Sequence, residues 1–146
     1  MPALDPDKVR ATVLAIIRQE GADTQYSVNS TILRKCGMHN PGHITWSPWC
    51  QRHGAQKVTL MMPNGKYRDW AGWPTRAQGE AAIVELLKAY TRETPNITVW
   101  GAIHKYAPVT ENDPAAYARN LSEWAGVTVD TRLRDILFPA APTPTS

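Results

Sequence analysis

Between Ile103 and Leu133 the chain reads IHKYAPVTENDPAAYARNLSEWAGVTVDTRL, and its two prolines fix where helices can stop and start. Pro108 pushes Ala107 out of the helical region, so the helix carrying Ile103 and Tyr106 closes there. Asp113 followed by Pro114 is the pair expected at the N-cap and first position of a new helix. Tyr117, Leu121 and Trp124 then recur at helical spacing and are expected to be buried before Gly126 stops the run. Residues 108–113 are therefore predicted to form a stiff connector carrying Glu111, Asn112, Asp113 and a threonine hydroxyl, a composition suited to one wall of a polar cleft. The plainer alternative is that Asp113 only caps its helix and Glu111 only meets solvent.

A second constraint comes from the start of the chain. Pro6 suits a first helical position, and Val9, Val13, Ile16 and Ile17 repeat at helical spacing, so a helix over about 6–20 turns one face inward. Gly21 ends it. Glu20 then sits at the C-terminal end of an apolar helix, where the helix dipole and nearby apolar surface both disfavour the ionised carboxylate. A carboxyl that keeps its proton is what a general acid requires, although a glutamate before a helix-ending glycine is more often simply solvated.

The stretch from 22 to 56 shows little periodicity and reads as a long loop region, with a tight turn at Asn40-Pro41-Gly42 and a break at Ser47-Pro48 flanked by Trp46 and Trp49. Lys57 to Met62 reads as a strand, Pro63-Asn64-Gly65 as a hairpin turn, and Lys66 to Trp70 as the returning strand. A long helix is predicted from Pro74-Thr75 to about Tyr90, a shorter one carrying Ile97, Trp100, Ile103 and His104 to Tyr106, and a last helical piece from Thr131 to Leu137. The tail FPAAPTPTS lacks apolar periodicity, so residues 139–146 are expected to be disordered.

With 146 residues, 42% of them hydrophobic, and six tryptophans, the chain can bury one substantial core but not two ordinary ones, so residues 1–138 are expected to form a single domain. The fold class expected is mainly α (α+β), a helical domain with a small β-hairpin inserted after the first helix. No apolar run approaches the roughly 20 residues needed to cross a bilayer, and MPALDPDKVR lacks the basic and apolar parts of a signal peptide, so neither membrane insertion nor export is expected. The net charge of +3 is modest and the basic residues are scattered, which suits a surface facing an anionic polymer without naming it. Cys36 and Cys50 form no CxxC motif and are read as thiols, with their pairing left open. His39, His43 and His53 lie in one loop region but match no zinc pattern, so neither a metal nor another cofactor is expected.

Four segments in order resemble small phage-virion and prophage proteins related to lysozyme-like glucosaminidases and lytic transglycosylases. They are Ala15-Ile16-Ile17-Arg18-Gln19-Glu20-Gly21; His39-Asn40-Pro41-Gly42-His43-Ile44, similar to the family's Asn-Asn-Pro-Gly-Asn-Ile/Leu; Asp69-Trp70 through Tyr90; and the Tyr106–Asp113 stretch, similar to its Tyr-Ala-Pro-Pro-x-Glu-Asn-Asp. Together they span roughly residues 12–133. The resemblance implies a lysozyme-like fold acting on peptidoglycan glycan strands, with Glu20 as the acid that protonates the glycosidic oxygen. It implies a protein of the virion, or of the bacterial cytoplasm before release, with other virion proteins as further partners.

In lytic transglycosylases of this kind one carboxylate suffices, whereas a hydrolase needs a second one roughly 5 Å away for retention or about 6.5–9.5 Å for inversion. Glu111, Asp69 and Asp113 are the candidates for it, in that order. Tyr106, Glu111, Asn40, Asn112 and Tyr26 are the expected substrate-binding residues, with Tyr106 equally readable as a core tyrosine and Asn40 as a turn-former. Two departures stand out: His39 and His43 replace asparagines of the family motif, and Val109 replaces the second proline of its turn. A non-catalytic virion protein with the same fold remains an alternative. A weaker one is a nucleic-acid-binding module using Trp46, Trp49, Arg52 and His53.

Overall fold

Helix α1 runs from Pro6 to Glu20 and buries Val9, Val13, Ile16 and Ile17, as their spacing predicts. The computed structural model describes residues 6–107 and 113–138. The chain divides into two compact units, one made of residues 16–83 and the other of residues 1–15 with 84–146. The divisions after residues 15 and 83 each fall within a helix.

In the unit of residues 16–83, α1 ends and is followed by α2 (Val28–Cys36), α3 (Pro48–Arg52), β1 (Gln56–Met61), β2 (Tyr67–Gly72) and the start of α4 (Arg76–Glu93). The loop predicted over 22–56 therefore contains two helices. The hairpin follows α3 in the chain, with α2 and α3 between it and the first helix. Ser27 caps α2 by accepting a hydrogen bond from the Ser30 amide, and Pro48 occupies the first turn of α3. Of the apolar residues of α2 only Ile32 and part of Val28 face inward, joining Val58, Leu60 and Trp70 of the hairpin with Met38 and Met62. So narrow an apolar face leaves little periodic signal in the sequence.

The strands pair antiparallel, with Val58 opposite Trp70 and Met61 opposite Tyr67. The other edge of β2 is also used. Ala71 donates to the Ile44 carbonyl and Trp46 to the Asp69 carbonyl, while His39 and Trp73 exchange two backbone bonds of 2.8 Å. Residues 39–46 are in this way laid along the hairpin as an interrupted third strand, with the Asn40–His43 turn forming the interruption. Trp73 is fully buried and donates its indole proton to the His53 carbonyl at 2.9 Å.

The other unit comprises the start of α1, the end of α4, α5 (Val99–Tyr106), α6 (Pro114–Ala125) and α7 (Leu133–Leu137). Thr98 caps α5, and Asp113 caps α6 through the amides of Ala115 and Ala116. Tyr117 and Leu121 are buried as expected, whereas Trp124 is only half-buried. Trp100, read as part of the inward face, is 40% exposed and packs edge-on against His104. Residues 97–100 pair with 129–133, which holds α5 and α7 together. Among the described residues the fold is mixed, seven helices with one two-stranded antiparallel hairpin, and mostly helical. No helix among them is long and apolar enough to cross a membrane.

Candidate functional site

Glu20 is the last residue of α1, and the chain leaves the helix through Gly21 at φ +68°, a left-handed conformation that glycine adopts without a Cβ clash. The Ala22 amide then reaches back to the Ile17 carbonyl, a Schellman-like closure that turns the chain sharply beside the acid. The Glu20 side chain is 14% exposed, and its Oε2 lies 3.7 Å from Nδ1 of His43, whose side chain is 13% exposed. A carboxylate and an imidazole, each mostly removed from water but not sealed, thus face each other.

His43 is held there by the turn that precedes it. Its amide donates to the Asn40 carbonyl, and the Asn40 side chain clasps Ile44 at both ends, Oδ1 accepting from the Ile44 amide and Nδ2 donating to its carbonyl, each at 2.9 Å. The Asn40 amide donates in turn to Oδ1 of Asn29 at 2.7 Å, and Asn29 Nδ2 donates to the Ala22 carbonyl. A buried chain of two asparagines therefore connects the backbone just after Glu20 to the turn that carries His43. His43 has a φ of +49°, the only positive value at a non-glycine among the described residues. Such a conformation costs of order 1 kcal/mol in a residue with a Cβ, and histidine tolerates it better than most.

Helix α4 closes the same turn. A Cβ on Gly79 would lie 2.5 Å from Cδ of Pro41, so only glycine admits this approach. Arg76 at the start of α4 binds Asp23 with a bond of 2.6 Å from Nη1 and a longer one from Nη2, fixing the segment after Glu20. That hydrogen bond holds the Arg76 guanidinium pKa above its ordinary value, with burial opposing and the Asp23 and Glu80 charges assisting. Both partners are substantially exposed, so the pair positions more than it stabilises.

Comparisons with protein-family models, curated proteins and solved structures found nothing that matches this chain.

Asn40 has no exposed surface, and both ends of its amide are engaged by Ile44, so it shapes the turn and does not reach a ligand. Tyr26 is 87% exposed on the segment before α2. Tyr106, half-buried at the end of α5, belongs to the other unit. Glu111 and Asn112 lie outside the described residues. Asp69 accepts a 2.6 Å bond from the Thr59 hydroxyl on the exposed face of the hairpin, and both carboxylate bonds found at Asp113 go to its own helix.

The histidines do not assemble. His53 bonds the Trp49 carbonyl through Nδ1 and stacks on the Trp49 ring at 4.0 Å, and His39 serves through its backbone. Among the described residues no three histidine, cysteine, aspartate or glutamate side chains gather as a metal site. Cys36 and Cys50 are both free thiols, the first exposed and the second buried. Sequence reasoning missed Asn29, Arg76 and Gly79. Of these only Gly79 carried a signal, a glycine inside a strong helical pattern.

Proposed function

We propose that this chain is a peptidoglycan-cleaving glycosidase of the lysozyme-like kind, with Glu20 as its general acid and base. The observation that supports the reading is Glu20 itself: a mostly buried carboxyl at the end of an apolar helix, facing an imidazole held on a braced turn. Burial without sealing keeps the carboxyl out of bulk water while leaving it open to a substrate.

In the proposed reaction the Glu20 carboxylic acid gives its proton to the glycosidic oxygen as the C1–O bond breaks. The carboxylate so formed then takes the proton from the C6 hydroxyl of the muramic sugar, whose oxygen closes on C1 to leave a 1,6-anhydro end. This route requires no second carboxylate. Of the candidates for one, Asp69 is engaged by Thr59 on the hairpin face and Asp113 by the α6 amides, while Glu111 lies outside the described residues. Glycan strands of the bacterial wall are the substrate in this reading, and other virion proteins are the partners that would carry the chain to them.

The test is clearance of purified peptidoglycan by the wild-type protein and by Glu20→Gln, which keeps the shape of the side chain and removes its proton chemistry. The expected result is clearance abolished in the variant, with anhydro-muramic ends among the wild-type products by mass spectrometry. Reducing ends alone would move the reading to a hydrolase. Equal clearance by both proteins would remove Glu20 from the reaction.

A further inference from the structure

We propose that His43 is a positioning residue for Glu20, an imidazole that carries a ring proton on Nδ1 and aims it at the Glu20 carboxylate. The inference rests on the reading of Glu20 as the acid and adds a partner to it.

Three observations converge on His43. Its Nδ1 lies 3.7 Å from Glu20 Oε2, about 0.8 Å beyond a normal hydrogen bond. Pairs of this kind are often long in the unliganded protein and tighten with substrate. At the other edge of the ring, Nε2 is buried and has no hydrogen-bond partner among the described residues. The second such atom is Nε1 of Trp70, a residue whose ring meets that of His43 edge-on with centroids 6.5 Å apart.

A carboxylate oxygen can only accept, so the ring nitrogen that faces Glu20 Oε2 suits it as a donor, which puts a ring proton on Nδ1. The backbone adds a cost that needs a return. His43 alone among the described non-glycine residues has positive φ, and strain of this kind concentrates where a side chain has to be aimed. The bracing of Asn40 by Ile44 and Asn29 and the close approach of Gly79 to Pro41 keep that aim from relaxing.

A donor on Nδ1 stabilises the carboxylate that remains after Glu20 has given up its proton. It also fixes which oxygen faces His43. His43 itself touches no reacting atom in this scheme and exchanges no proton with substrate.

The experiment uses the full chain and two variants chosen for the backbone. His43→Gly removes the donor and accepts positive φ without strain, whereas His43→Asn keeps an N–H donor and also tolerates that conformation. In kinetics on soluble peptidoglycan fragments, His43→Gly is expected to lose about ten- to a hundredfold in kcat with KM within about twofold, the range expected for one hydrogen bond to a charged group. His43→Asn is expected to recover most of that loss. Nitrogen-15 NMR of the wild-type imidazole, above its titration range, should show the proton on Nδ1, and in Glu20→Leu that preference should weaken.

Wild-type kinetics in His43→Gly, or a neutral ring protonated on Nε2 in the wild type, would overturn the proposal. If Glu20→Gln proves as active as the wild type, it is the reading of Glu20 that falls, and the Nδ1 tautomer then decides the pairing of the two side chains by itself.

Discussion

Oδ1 of Asn29 accepts the backbone N–H of Asn40 at 2.7 Å, while its Nδ2 donates to the Ala22 carbonyl, so one buried amide spans the two segments that carry Glu20 and His43. Asn29→Leu would leave the Asn40 amide buried without an acceptor, a penalty of about 1–3 kcal/mol. The Ala22 carbonyl would keep its bond from the Ser27 hydroxyl, so the loss is confined to the His43 side of the link. Asn29→Asp retains the acceptor but replaces the Nδ2 donor with a buried oxygen facing the Ala22 carbonyl, so it is expected to lose stability with the Asn40 bond kept. Chemical denaturation of the three proteins measures both losses. Peptidoglycan clearance, measured where all three are folded, should fall furthest in Asn29→Leu, since the turn then loses its reference to the acid.

Gly79 and Pro41 offer a test in which two rules oppose each other. In a helix interior alanine is favoured over glycine by about 1 kcal/mol, so Gly79→Ala would ordinarily stabilise α4. The added Cβ would meet the Pro41 ring at 2.5 Å, and a ring closed onto the backbone cannot swing aside. Overpacking of this sort costs about 1–3 kcal/mol. The expected outcome is a lower melting temperature in Gly79→Ala than in the wild type, with helical circular dichroism retained. A rise in melting temperature would mean that the Pro41 turn yields easily.

The elements that the sequence made legible are those with several apolar residues in register and a chemical stop. α1 has four inward aliphatics and Gly21, and α6 has Asp113-Pro114 at one end and Gly126 at the other. The hairpin was legible from Asn64-Gly65 between two strand-like segments, and its register comes from the structure. α2 and α3 were not, because α2 turns only Ile32 and part of Val28 inward among its apolar residues and α3 has five residues. In the site, Glu20 could be singled out as a carboxyl on a helix end. The approach of His43 depends on residues 39–46 pairing along β2, a contact between distant segments that local pattern does not encode.

Asp113 separates a capping role from a chemical one. Its carboxylate accepts hydrogen bonds from the amides of Ala115 and Ala116 at 3.0 and 3.2 Å. Asp113→Asn preserves a capping oxygen and is expected to change stability by no more than a few tenths of a kcal/mol, whereas Asp113→Ala should cost about 1 kcal/mol. Thermal unfolding of the pair reads this directly. A large loss in Asp113→Asn would show that the charge, and not the cap, is what the fold uses.

Tyr90 sets a limit at alkaline pH. Burial, reinforced by the nearby Glu93 carboxylate, pushes its phenol from the ordinary 10.0 up to about 12. The Lys105 ammonium, 5.4 Å from the centre of the Tyr90 ring, is itself paired with Glu93 at 3.2 Å. For an acid whose folded pKa is raised, the unfolded chain loses its proton first as pH climbs. Between about pH 10 and 12 the unfolded state therefore binds fewer protons than the native one, and stability falls with pH across that window. Two pKa units set a ceiling of about 2.7 kcal/mol, and partial exposure of the ring reduces the expected loss to roughly 1–2 kcal/mol. Tyr90→Phe cannot ionise and should show a shallower decline of unfolding free energy over the same range, measured by denaturant titration at several pH values. Parallel slopes for the two proteins would place the phenol of Tyr90 in contact with water.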